Sequence, residues 1–151
     1  MKILVQYLDA DDIINKIIPI IKTLISDEHT YVRASLANSV LSLAPVLGKA
    51  KTNQHILGFF LTLLRDDDAS VRINIFRNFH ELTQVLPAST LIQSVMPVFL
   101  DLGNDPNWKN RIQCLDTLVI FEKEIGSDFL EEKQILKLLM DRLSDKIYIV
   151  R

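Results

Sequence analysis

Three histidines, one cysteine and a scatter of carboxylates are the side chains of this sequence that could ligate a metal or act in catalysis. His29, His55 and His80 are 26 and 25 residues apart. Structural zinc sites draw on closely spaced His and Cys, so no metal is expected. Cys114 is the single cysteine, which rules out an intrachain disulfide. A reducing compartment fits: the cytoplasm, with the nucleus as a second location. Glu122, Glu124, Glu131 and Glu132 have no convergent base beside them, and neither a phosphate loop nor a dinucleotide fingerprint occurs. The expectation is a protein that is not an enzyme, with no cofactor and no small-molecule substrate.

The charges that do form a pattern are Asp–Arg pairs six residues apart. They are Asp27 with Arg33, Asp66 with Arg72, Asp105 with Arg111, and Asp145 with Arg151. The Arg positions are spaced 39, 39 and 40 residues apart. Exposed pairs of this kind could bind a partner. Repetition in register favours a structural ladder, in which each turn Asp accepts hydrogen bonds from the Arg of its own or the adjacent repeat. Trp108 and Tyr148 each follow a turn Asp by three residues. An aromatic there either anchors a partner or covers the top of its own helix pair. Asn107, Lys109, Lys146 and Arg142 could add polar contacts around them. Glu28, His29, Asp67 and Asp68 make the first two turns acidic. Seventeen Lys and Arg face nineteen Asp and Glu, a net charge of -2, which argues against nucleic acid as a partner.

The elements that carry these residues read as helix pairs. Upstream of each Asp, apolar residues recur at helical spacing: Ile14, Ile17, Ile18, Ile21 and Leu24; Ile56, Leu57, Phe60, Leu63 and Leu64; Leu91, Ile92, Val95, Phe99 and Leu102; Ile135, Leu138, Leu139 and Leu143. Downstream of each Arg, offsets +3, +7, +10 and +14 give Leu36, Val40, Leu43 and Leu47, then Ile75, Phe79, Leu82 and Leu86, then Cys114, Leu118, Phe121 and Ile125. That is one stripe on a helix of about four turns. Gly48, Pro87 and Gly126 follow as terminators. Pro19 and Pro97 fall inside the first helices and predict a kink there; Gly58 and Lys137 hold the same position in the other two repeats. The phase assigns residues 1–8 to the end of a preceding repeat, then 9–47, 48–86 and 87–126 to repeats and 127–151 to a truncated one. Only four Gly occur in 151 residues, too few for sheets joined by tight turns. The longest strongly apolar stretch, Ile56 to Leu64, is nine residues, against about twenty for a membrane helix. No signal peptide is visible after Met1-Lys2.

A helix pair of about 39 residues with Pro19 in its first helix, Asp27 in its turn and Val32-Arg33 opening its second resembles the HEAT repeat. The runs Val32-Arg33-Ala34-Ser35-Leu36-Ala37, Leu43-Ala44-Pro45-Val46-Leu47-Gly48-Lys49, Asp68-Ala69-Ser70-Val71-Arg72-Ile73-Asn74-Ile75 and Asp145-Lys146-Ile147-Tyr148-Ile149-Val150-Arg151 are similar to the scaffold subunits of type 2A protein phosphatases. The resemblance implies an all-α fold, a right-handed α-α superhelix of HEAT repeats. It also implies a non-catalytic scaffold with no membrane partner. Its intra-repeat turns would hold two proteins together, the phosphatase catalytic subunit plus an interchangeable regulatory B-type subunit. Where that family commonly presents an aromatic residue to the catalytic partner, near the fourth turn, this sequence has Arg142. Two other readings of a HEAT array are a nuclear transport receptor with an acidic inner surface, and a chromatin module.

Overall fold

Apolar residues at helical spacing, interrupted by short polar turns, should give helices that bury one stripe. The computed structural model describes residues 8–126, 129 and 131–151, and among these every regular element is helical. Residues 1–7 of the expected preceding repeat lie outside the described residues.

The chain divides into two compact units, residues 1–87 and 88–151. In the first unit, α1 (Ala10–Asp12) runs through a π-helical turn (Ile13–Ile17) into α2 (Ile18–Leu24). After a turn come α3 (Thr30–Ala37), a 3₁₀ segment (Val40–Leu43) and α4 (Ala44–Lys51). A second π turn (Thr52–Ile56) leads into α5 (Leu57–Leu64), followed by α6 (Ala69–Phe76) and α7 (His80–Thr83). The second unit holds α8 (Ala88–Gly103), α9 (Trp108–Ile125) and α10 (Lys133–Leu143).

The stripe read from the second helices is the core. Leu36, Val40, Leu43, Leu47, Ile75, Phe79, Leu82, Leu86, Cys114, Leu118 and Phe121 are all buried, and Ile125 is half-buried. Gly48 (φ 69°) breaks α4 in its middle and Gly126 (φ 102°) ends α9, each in a conformation that a side chain would strain. Each unit centres on three phenylalanines. Phe60, Phe76 and Phe79 have ring centroids 5.4–5.8 Å apart. Phe99, Phe121 and Phe129 lie 4.5–5.6 Å apart. Burying one such ring contributes about 2–3 kcal/mol.

The helices differ at the two prolines. Pro97 sits inside the continuous helix α8. A π turn precedes Pro19, but an equivalent one precedes Gly58, so the ring is not its cause. The π turn widens the spacing by one residue, so the buried set steps from Ile13 to Ile18 and Ile21. Ile14 and Ile17, expected on the stripe, are only half-buried. At the end of α10, Leu143 is 62% exposed although the sequence pattern places it inside. Among the described residues of its unit, nothing covers the last turn of that helix on this face. In the first unit α3 packs along α6. There, Asn74 Nδ2 donates to the Ala34 carbonyl (3.3 Å) and Asn78 Nδ2 to the Asn38 carbonyl (2.9 Å).

Candidate partner-binding turns

A loop between antiparallel helices leaves backbone N–H groups without helical partners. Each of the four turns answers this in the same way. The turn Asp folds its carboxylate back onto the N–H two residues on. Asp27 Oδ1 accepts from His29 N at 2.8 Å, Asp66 from Asp68 N at 2.9 Å, Asp105 from Asn107 N at 2.7 Å, and Asp145 from Ile147 N at 2.9 Å. Asp68 then caps α6 through the Ser70 N–H (2.7 Å), and Asn107 caps α9 through the Lys109 N–H (3.0 Å).

In the first three turns the arginine six residues on lies one helical turn inside the second helix, where its guanidinium reaches back over the turn. The expected fourth pair is corrected, since Arg151 is exposed and outside any helix, and Asp145 is held by Arg111 and Arg142 instead. Arg33 Nη1 donates to the Asp27 carbonyl at 2.7 Å, and Arg111 Nη1 to the Asp105 and Pro106 carbonyls at 2.9 and 3.0 Å. Arg72, buried, donates to the carbonyls of Asp66 and Asp67. The other edge of the fork grips the carboxylate of the next repeat. Within the first unit, Arg33 Nε and Nη2 meet Asp66 Oδ2 and Oδ1 at 2.6 and 3.0 Å. Within the second, Arg111 meets Asp145 at 2.8 and 2.9 Å. The own-repeat contact is therefore to backbone carbonyl, and the cross-repeat contact is bidentate.

These contacts set the titration of the carboxylates. The Arg111 fork, helped by the Ile147 N–H, holds Asp145 down at about 2, against an ordinary 3.8. Burial alone would push Asp66 up, but the Arg33 fork and the Asp68 N–H outweigh it and leave it lowered. Asp68 is lowered by the Ser70 hydroxyl and N–H. Asp145 also accepts from Arg142 Nη1 at 3.2 Å.

The residues singled out for partner contact separate by exposure. Glu28, His29, Asp67, Asn107, Lys109, Lys146 and Tyr148 are exposed. Tyr148 is the most open of them among the aromatics, at 74%. Trp108 is half-buried, with Lys109 Nζ 5.8 Å from its ring centroid. Asp68 is half-buried and serves as a cap. Arg142 is turned inward, its side chain 16% exposed, and engaged by Asp145. One aromatic escaped the sequence reading: Tyr31, 70% exposed, packs its ring 5.5 Å from that of His29. Its signal was an aromatic in the first turn of a second helix, one position beyond that of Trp108 and Tyr148.

The groups weighed for catalysis lie on different elements. His29 lies on a turn, His55 in a π turn and His80 at the start of α7. No group of three or more metal-ligating side chains occurs among the described residues. The Cys114 thiol is buried against the Phe99 carbonyl (3.4 Å), and burial pushes it up to about 12, far from a nucleophile's range. Among the described residues, no helix is long and apolar enough to cross a membrane.

Part of the chain is similar to known proteins. A 49-residue stretch is 45% identical to the beta isoform of the 65 kDa regulatory A-type subunit of serine/threonine-protein phosphatase 2A from Rattus norvegicus, and equally to that of Mus musculus. The identity with the Homo sapiens isoform is 43%. The stretch is 32% of this chain and only 8% of each of these relatives. The resemblance read from the Val-Arg runs is thus to this regulatory protein, over a part of the chain. A far longer match comes from a helical family described as PIK3R4-like, middle domain, which spans residues 6–141. With nearly its whole length inside that match, the chain belongs to the PIK3R4-like, middle domain family.

Proposed function

We propose that this chain is a non-catalytic scaffold: a stretch of a right-handed solenoid of HEAT repeats of about 39 residues, bounded near residues 9, 48, 87 and 127. Its intra-repeat turns would hold the catalytic subunit of a serine/threonine phosphatase together with a variable regulatory subunit, in the cytoplasm and in the nucleus. One observation carries the reading. The Asp of each turn and the Arg of the first three are engaged inside the protein, while the residues that differ from turn to turn (Glu28, His29, Asp67, Lys109, Lys146 and Tyr148) are exposed. A fixed frame that displays changing side chains suits partner recognition and supplies no reaction centre. The names of the phosphatase relatives support the partner class, and the inert Cys114 supports the absence of catalysis.

Affinity capture from cell lysate with the tagged chain, read by mass spectrometry, tests this. Phosphatase catalytic and B-type regulatory subunits are expected above the untagged control. Tyr148→Ala should cut their recovery by about fivefold, the size of a modest interface contact, without moving the melting temperature. Recovery of other proteins without any phosphatase component would keep the scaffold and discard the phosphatase.

A further inference from the structure

The turns at Ile25–Glu28 and Leu61–Asp67 of the first unit enclose an open groove of about 620 Å³. That is ample for a side chain or a short peptide stretch. Ile25 and Leu61 give it apolar wall. Asp27, Glu28, Asp66 and Asp67 line it against two cations, Arg33 and Arg65. These charges are not equivalent. Asp66 and Arg33 grip one another, and Asp27 is engaged by the His29 N–H. Glu28, 88% exposed in its side chain with Oε1 3.7 Å from His29 Nδ1, and Asp67, also exposed, sit at the rim.

The second unit acts as an internal control for what those two carboxylates do. They occupy the position directly after the turn Asp. At the same position the second unit has Pro106 and Lys146, yet Arg111 makes the same clasp to the Asp105 carbonyl and the Asp145 carboxylate. The clasp therefore does not require acid there. Two carboxylates that the fold does not need, at the mouth of a groove with aliphatic walls, complement a cation on an aliphatic stem.

We propose that this groove seats a lysine- or arginine-bearing extended segment of a partner protein. The stem of the cationic side chain lies against Ile25 and Leu61, and its head meets Glu28 and Asp67. Arg33, tied to Asp66, stays out of competition, and with Arg65 as the second cation the lining still holds four carboxylates against two arginines. The inference rests on the reading of the turns as the partner-binding edge, and it names the chemistry one pair of turns selects.

The test is fluorescence anisotropy with a short labelled peptide of alternating lysine and alanine, titrated with the whole chain at low and at physiological salt. Saturable binding is expected, weakening as salt rises. The double variant Glu28→Gln/Asp67→Asn should bind about fivefold to tenfold more weakly, as removal of two rim charges does, with an unchanged melting curve. Glu124→Gln/Glu131→Gln removes the same charge from the second unit and should leave binding as it was. No saturable binding, an unaffected groove variant, or an equal loss in the control variant would each overturn the proposal. No phosphatase enters the measurement, so it can fail while capture of phosphatase subunits succeeds, and the reverse.

Discussion

Asp145 shows how much one side chain does in this fold. It closes its own turn through the Ile147 N–H and holds the fork of Arg111 from the preceding repeat. Both contacts require the carboxylate, which is why it is held at about 2. A folded-state value below the ordinary 3.8 means that the contribution is present above about pH 4 and is lost as pH falls toward 2. Asp145→Asn should therefore melt below the unaltered chain near neutral pH, with the gap narrowing as the solution is acidified from about pH 4 to about pH 2. Melting curves by circular dichroism across that range check it; a gap of constant size would show that the charge is not what matters. The register of the Asp–Arg pairs was legible in the sequence because repetition exposes it. The bonding pattern was not. Six residues of separation let a guanidinium reach its own turn, but only the turn geometry shows that the carboxylate is already folded back and that the carbonyl is the acceptor there.

At the scale of elements, apolar spacing marked out the helices and their buried stripes, and two details escaped it. The second helix of the first repeat breaks after Ala37 into a 3₁₀ segment, with the Ser39 and Ser42 hydroxyls bonded to nearby carbonyls. The π turns before Ile18 and Leu57 shift the buried register by one residue. A helical wheel assumes a constant period and so cannot show either. Two glycines that look alike in sequence differ for a related reason. A methyl group on Gly58 would meet nothing within 4 Å, whereas one on Gly103 would come within 2.6 Å of both Leu138 Cδ atoms, and Leu138 is itself buried. Gly58→Ala, in an exposed helical position, should stabilise by about 0.5–1 kcal/mol through propensity and unfolded-state entropy. Gly103→Ala should destabilise by about 1–2 kcal/mol, because α10 must move or Leu138 must leave its rotamer. Denaturant titration of both variants decides it. Equal effects would mean that α8 and α10 do not approach as closely as described.

For the whole molecule, the question is how a chain with 48% hydrophobic residues and a net charge of only -2 behaves in solution. Composition shows that apolar surface is plentiful but not which side chains are left outside. The structure concentrates them. Leu136, Met140 and Leu143 recur at i, i+4 and i+7 on α10, and are 48%, 65% and 62% exposed. Tyr148 and Ile149, 74% and 52% exposed, follow close behind in the chain. A contiguous apolar stripe on a nearly neutral protein favours contact between copies, since neither charge repulsion nor a polar cover opposes it. The weight-average sedimentation coefficient should therefore rise with concentration. Met140→Glu/Leu143→Glu should flatten that rise while leaving the melting curve in place, because neither side chain is buried within its unit. A sedimentation coefficient already independent of concentration in the unaltered chain would show that the stripe is too small to drive association.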